Sequence, residues 1–253
     1  MKTISETSFY VPPEHICRDS LHITNQEAKH AHGVLRCAVG DVFTVVDGCG
    51  LEYRASVQSI RKNRIDCKIL SSQKNPKEPT VHITLAQALC RFAKFDTLVE
   101  KCTEIGVGTI LPTLTQRSRP MPPKDQFQNR LRRWHKIAVA AMKQSGRSVL
   151  PRIESAVPID TLLAYTENFD LSLLAWEDEQ AVSLRSLLSP THEIQSVLIF
   201  VGPERGFSKE EVEKARRAGF QPFSLGPRRL RTETAGIVSV SLVMYELCEL
   251  NPR

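Results

Sequence analysis

Apolar and polar positions change rhythm partway along the chain. As far as Leu70 the apolar residues fall in short clustered or alternating runs, at Val42–Val46, 53–60 and 64–70. Asp47-Gly48 and Lys62-Asn63 separate them, which predicts strands joined by tight turns. One stretch with helical spacing, 27–36, interrupts the strands. The pattern predicts a small barrel-like β domain carrying one helix. Residues 71–79 are polar and hold two prolines, as expected of a linker.

From Val81 onward strands alternate with helices, which predicts an α/β fold with a parallel sheet. Strands are expected at 81–89, Thr109–Leu114, Leu171–Ala175 and 197–201, with a short one at 223–225. Leu171–Ala175 and 197–201 are continuous apolar runs, the mark of strands buried on both faces. Asp96 is placed to cap a helix whose apolar positions are Leu98, Val99, Cys102 and Ile105, with Gly106 as its stop. A long helix is expected over Lys124–Ser145, with Phe127, Leu131, Trp134, Ile137 and Ala141 on one face. Ser208 and Glu211 form a capping-box signature. A last helix is expected over 232–250, with Thr232 and Thr234 as candidate caps. It is nearly apolar across 235–245. A helix apolar all round must be buried, and a subunit interface would bury it.

With 41% hydrophobic and 25% charged residues, the chain has the composition of an ordinary globular protein. It lacks an apolar run of about 18 residues, so no membrane span is expected. Its N-terminus lacks the apolar core of a secretory signal. The seven cysteines are odd in number and contain no C-x-x-C. They predict neither a disulfide framework nor a zinc site, and they fit a reducing cytoplasm. The net charge of +6 is uneven: between Arg117 and Arg152 ten Lys/Arg face a single acid, Asp125. Such a basic stripe points to a polyanion partner, against the simpler reading of a solvated helix face.

Two segments carry the candidate chemistry. One is Val201-Gly202-Pro203-Glu204-Arg205-Gly206-Phe207-Ser208. The other is Leu225-Gly226-Pro227-Arg228-Arg229-Leu230-Arg231-Thr232-Glu233-Thr234-Ala235. Each follows an apolar run and leads into a helix. Ligands of α/β sheets sit outside the carboxyl ends of the strands, so two such turns suggest one shared site. Free N–H groups and the helix dipole favour an anionic or hydrogen-bonding ligand there. Gly202, Gly206 and Gly226 allow close backbone approach. The competing structural reading is that the glycines only make turns and the arginines pair with Glu204 and Glu233. The chain has no P-loop, no complete dinucleotide fingerprint, no G-x-S-x-G elbow and no H-E-x-x-H.

The second segment closely resembles the Leu-Gly-x-Arg-x-Leu-Arg-x-Glu-Thr-Ala signature of the RsmE family, ribosomal RNA small-subunit methyltransferases of the SPOUT class. Supporting elements are His30-Ala31-His32-Gly33-Val34-Leu35-Arg36, Glu100-Lys101-Cys102-Thr103-Glu104-Ile105-Gly106-Val107, Gln116-Arg117-Ser118 and Trp134-His135-Lys136-Ile137-Ala138. The resemblance implies a PUA-like RNA-binding β-barrel at 1–72, a linker at 73–80 and a SPOUT domain with a C-terminal trefoil knot at 81–253. It implies a homodimer through the C-terminal helix, a cytoplasmic location and S-adenosyl-L-methionine as methyl donor. The implied reaction is methylation of N3 of one uridine in 16S rRNA of the small ribosomal subunit. The alternative is a non-catalytic RNA-binding or ribosome-assembly factor that keeps the fold.

On this resemblance the donor contacts are expected at Ala175, Glu177, Gly202, Glu204, Leu225, Gly226, Leu230, Arg231 and Thr232. Arg231 is also the expected catalytic cation, because charge develops on the uracil ring as its N3 proton leaves. RNA contacts are expected at His30, Arg36, Lys94, Arg117, Arg133, Lys143 and Arg147. Two positions depart from the family. Arg205 stands where the family loop has the first glycine of Gly-Pro-Glu-Gly-Gly. Either that turn differs here or its φ is ordinary. Arg229 stands where the family more often has an aliphatic residue.

Overall fold

The structure is a computed structural model that describes residues 3–33, 35–74, 77–188 and 194–251, with side chains from Ser8 onward. It divides into two compact units, residues 1–78 with 139–150, and residues 79–138 with 151–253. Val34, Asn75 and Pro76, which fall in the expected first helix and linker, lie outside the described residues.

The first unit contains β1 (Thr3–Tyr10), β2 (Ser20–Thr24), α1 (Asn25–Gly33), β3 (Val42–Val46), β4 (Leu51–Arg61) and β5 (Arg64–Lys74). The five strands form one sheet in the order β1-β3-β4-β5-β2. β1 runs parallel to β3, and the other pairs are antiparallel. β5 extends four residues into the polar stretch read as a linker. Ladder hydrogen bonds to β4 hold this polar segment in the sheet, where side-chain hydropathy does not mark it. Phe9, Leu21, Ile23, Phe43, Val45, Val57 and Ile65 form the core with Ala28 and Ala31 of α1.

The second unit contains β6 (His82–Ala88), α2 (Phe92–Ile105), β7 (Thr109–Leu114), the first part of α3 (Lys124–Ser145), β8 (Arg152–Ile153), β9 (Val157–Pro158), α4 (Ile159–Leu163), β10 (Leu171–Ala175), α5 (Leu184–Leu187), β11 (Ser196–Val201), α6 (Lys209–Arg217), β12 (Gln221–Phe223) and α7 (Thr232–Glu246). Its sheet is parallel, in the order β12-β10-β11-β6-β7-β8, with β9 beside β7. The central strands are apolar because both faces are covered. Leu85, Leu173, Leu198, Ile199 and Phe200 are fully buried.

Several local expectations change. Asp96 does not cap α2, which starts four residues earlier with Arg91 as its N-cap. Asp96 instead accepts hydrogen bonds from Arg133 Nε at 2.8 Å and Trp134 Nε1 at 3.0 Å. Pairing with α3 thus overrides its local capping preference. Gly106 does end α2, in the left-handed conformation at φ 119°. The capping box at Ser208 forms in full. Neither Thr232 nor Thr234 caps α7: Arg231 is the N-cap and Thr232 is already helical. α7 ends at Glu246, earlier than its hydropathy predicts. It buries Gly236, Ser239, Val240, Val243 and Met244, while Leu242 and Tyr245 stay 38% and 61% exposed.

Candidate active site

Strands β10, β11 and β12 end beside one another, and a cleft of about 860 Å³ opens at their carboxyl ends. Its walls are residues 175–180 after β10, 201–204 with Gly206 and Phe207 after β11, and 224–232 running into α7. Lys94 reaches it from the first turn of α2. This is the position the parallel-sheet rule predicts for a ligand, and the volume is that of a small-molecule site.

Beneath it lies Gln87, a fully buried polar residue on β6. Its Nε2 donates to the Gly202 carbonyl at 3.3 Å and to Thr232 Oγ1 at 2.9 Å. The Thr232 hydroxyl in turn donates to the Gly202 carbonyl. One carboxamide therefore holds the end of β11 against the start of α7. Leaving such groups unpaired costs about 1–3 kcal/mol each. A Cβ at Gly236 would lie 2.7 Å from Gln87 Oε1, so the helix passes this carboxamide at a distance only glycine allows.

The backbone explains the glycines. Gly206 has φ +67° and Gly226 φ +94°, conformations costly for L side chains. At Gly226 a Cβ would meet nothing within 4 Å, so the loop borders open space. Arg205 is not among the described non-glycine residues with positive φ. The strained position of that turn falls on Gly206, and Arg205 is exposed away from the cleft lining. The second of the two open possibilities for Arg205 therefore holds.

Charge is arranged in pairs around the walls. Arg229 grips Glu177 in a two-bond fork, Nε to Oε2 at 2.7 Å and Nη2 to Oε1 at 2.9 Å. Arg216 pairs with Glu179 at 3.3 Å and lies 5.3 Å from the Trp176 ring centroid. The Ala181 N–H, ahead of the Val182 N–H and the Arg216 charge, holds the Glu179 carboxyl below its usual range. Lys94 lies 3.2 Å from Glu233 and 3.9 Å from Glu204. Glu204 also accepts the Arg91 N–H at 3.1 Å. Among the described residues Arg231 has no ion-pair partner, Arg229 pairs with Glu177, and Glu204 and Glu233 face Lys94, so the competing reading, in which the arginines pair with these two carboxylates, does not hold. Burial, ahead of the Glu204 and Glu233 charges, pushes the nearby Cys90 thiol up to about 12, so it is no nucleophile.

The cleft gathers all nine expected donor contacts: Ala175, Glu177, Gly202, Glu204, Leu225, Gly226, Leu230, Arg231 and Thr232. The expected RNA contacts do not gather in one place. Lys94 belongs to the cleft. Arg117 donates to the carbonyls of Arg205 and Phe207, at 3.3 and 3.1 Å. Beside it the Gln116 N–H donates to Glu211 at 2.6 Å, tying the loop after β7 to α6. Arg133 pairs with Asp96 on an exposed face, and Lys143 pairs with Glu27 at 2.6 Å. His30 and the positive-φ Arg36 are exposed in the first unit. Arg147 must be corrected: it is only 4% exposed and its guanidinium holds the Glu78 carboxylate at 2.9 and 3.1 Å. It is a buried structural cation, unavailable to phosphate. Sequence reasoning missed Gln87 and Trp176. The one carboxamide in β6, between Ala86 and Ala88, was the signal for Gln87.

No group of three or more metal-ligating residues occurs among the described residues, and no described helix is long and apolar enough to cross a membrane. The parallel sheet, its strand-end cleft and the glycine loops define an α/β ligand-binding domain, and the chain also carries a separate five-stranded β unit.

The chain matches the RNA methyltransferase domain family over residues 76–244 and the RNA methyltransferase PUA domain over residues 23–70. It is 30% identical over 234 residues to "Ribosomal RNA small subunit methyltransferase E" of Synechocystis sp., covering 92% of this chain and 75% of that protein. A Legionella pneumophila structure described as a methyltransferase with the bound cofactor SAM is 29% identical. It covers 97% of this chain and 98% of its own, with a TM-score of 0.84. A Neisseria gonorrhoeae ribosomal RNA small subunit methyltransferase E bound to S-adenosyl methionine is 28% identical. It covers 94% and 97%, with the same TM-score. The chain belongs to the RNA methyltransferase family, among the ribosomal RNA small subunit methyltransferase E proteins.

Proposed function

We propose that this protein uses S-adenosyl-L-methionine to methylate N3 of a specific uridine in 16S rRNA of the small ribosomal subunit. The observation that carries this reading is the cleft at the ends of β10, β11 and β12, which unites both glycine loops with the resemblance-derived donor residues. The residues fit the donor. Gly202 and Gly226 offer backbone to a nucleoside, and Leu225, Leu230 and Val201 offer apolar surface. The carboxylates of Glu177, Asp178, Glu179 and Glu204 suit a cationic sulfonium. The bound donor would supply an electrophilic methyl group. The protein's own part is to hold donor and uracil in register and to manage the N3 proton. Arg231, unpaired among the described residues, stabilises the negative charge that develops on the uracil oxygens.

The proposed assembly is a homodimer through α7, supported by its exposed Leu242 and Tyr245 beside half-buried Ile237 and Val238. A trefoil knot in the C-terminal part is supported by the path of the chain. β12 lies at the sheet edge, yet α7 returns to pack on α2, β6 and β11 in its middle. The proposed domains are a PUA-like RNA-binding domain expected at 1–72, a linker at 73–80 and the methyltransferase domain at 81–253; β5 carries the first of these through Lys74, and residues 139–150 group with it. Exposed Arg119, Lys124, Arg132, Arg133 and Lys136 supply cations for RNA phosphates. The place of action is cytoplasmic. The non-catalytic alternative rested on Arg205, whose ordinary backbone removes that support.

The test is transfer of a labelled methyl group to small subunits from cells lacking the modification. Label at N3 of one 16S uridine is expected, and Arg231→Ala should cut the rate about 10²–10³-fold without loss of fold. Donor binding without transfer to any small-subunit RNA would sink the assignment.

A further inference from the structure

We propose that Glu204 is the catalytic base that takes the N3 proton of the uridine, with Lys94 positioning it; this rests on the methyl-transfer reading above. Among the described residues no histidine, tyrosine or cysteine lines the cleft, and four carboxylates do. Two are committed elsewhere, and a third is unanchored. Both oxygens of Glu177 lie in the fork of Arg229. Glu179 spends Oε1 on the N–H groups of Ala181 and Val182 and Oε2 on Arg216. Asp178 stands exposed on the turn between them.

Glu204 is held differently. Its Oε1 accepts the Arg91 N–H at 3.1 Å and faces Lys94 Nζ at 3.9 Å. Its Oε2 has no partner among the described residues, and the side chain is 29% exposed, in the cleft wall. The groups facing it are Lys94, Arg91 and Cys90 from the start of α2, and Glu233 from α7 on the far side of the lysine. Lys94 balances one of the two carboxylates it touches, so the trio keeps one formal negative charge at the wall. Arg231 lines the same cleft. The cleft thus offers an anchored carboxylate with one open oxygen and a free guanidinium, the pair that imide deprotonation requires.

In the step, the N3–H bond breaks and an O–H bond forms at Glu204 Oε2. The bond pair stays on N3 and spreads into the uracil O2 and O4, where Arg231 would stabilise it; it would form the N3–CH3 bond as the donor's S–CH3 bond breaks with its pair returning to sulfur. Glu204 then releases its proton to solvent. Lys94 fixes which oxygen stays open.

The experiment compares wild type with Glu204→Gln, which keeps the Oε1 acceptor, and with Glu204→Asp. Three quantities are read: donor Kd by calorimetry, small-subunit binding by filter retention, and single-turnover methylation against pH. For Glu204→Gln, RNA affinity is expected within about threefold of wild type, donor affinity lower by up to about tenfold because Glu204 also lines the donor cleft, and the single-turnover rate at saturating donor about 10²–10³-fold lower. The remaining rate should climb about tenfold per pH unit, because the imide must then ionise unaided. Glu204→Asp should recover part of the loss. A Glu204→Gln rate within about threefold of wild type would overturn the proposal. So would a donor affinity that falls while the rate at saturating donor stays unchanged, since Glu204 would then only bind the donor. Failure of the wild type to bind donor would overturn the underlying reading, and the proposal with it.

Discussion

Gly236→Ala separates helix propensity from site geometry. In an exposed helix interior this change stabilises by about 1 kcal/mol. Here the new Cβ would lie 2.7 Å from Gln87 Oε1 and 2.7 Å from Leu98 Cδ1, both fully buried. Leu98 has little room, so overpacking costs about 1–3 kcal/mol. The carboxamide can yield only by loosening its bonds to Gly202 and Thr232, at about 1–3 kcal/mol for each buried group left unpaired. The penalties exceed the propensity gain, and a net loss of about 1–3 kcal/mol is expected. Since Gly202 lines the donor cleft, affinity for S-adenosylmethionine should also fall, by about tenfold or more for each 1.4 kcal/mol transmitted. Denaturant melts give the first quantity and calorimetric titration the second. A more stable variant with unchanged donor affinity would refute the role given to Gln87.

Two further perturbations probe charge. Glu78→Ala should destabilise the first unit by about 3–5 kcal/mol, because it strips the carboxylate from the buried Arg147 guanidinium. Adding Arg147→Met should recover most of that loss, and an additive double mutant in urea melts would contradict the pairing. His82 packs its ring on Gly108, and burial, ahead of the Arg152 charge, lowers its pKa from 6.5. The unfolded chain therefore binds this proton first, so stability is complete above about pH 6.5 and is lost as pH falls toward the lower folded value. The loss of Tm between pH 7 and pH 5 should be smaller in His82→Gln; an unchanged pH dependence would count against this assignment.

Much of the second unit is legible in the sequence because its signals are local. Leu171–Ala175 reads as a buried strand from composition alone, and Ser208 with Glu211 reads as a cap from spacing alone. The glycine loops stand out because few other residues tolerate the backbone at Gly206 and Gly226. What escapes depends on partners remote in the chain. Asp96 looks like a cap until Arg133 and Trp134 are folded against it. Arg147 looks like one more cation of a basic stripe until Glu78 encloses it. Such pairings take up part of the stripe: Arg130 lies 4.3 Å from the Phe92 ring centroid, and Lys143 is taken by Glu27, while Arg119, Lys124 and Lys136 stay exposed. β1 could not be read either, because its place is set by parallel pairing with β3 rather than by its own hydropathy.

The most direct test of the account is calorimetric titration of the purified protein with S-adenosylmethionine, beside Gly226→Val. The wild type should bind saturably. The variant, which forces a branched side chain onto φ +94° at the cleft wall, should not. A wild-type protein that binds no donor, or a variant that binds as well as the wild type, would contradict the claim that this cleft is the methyl-donor site.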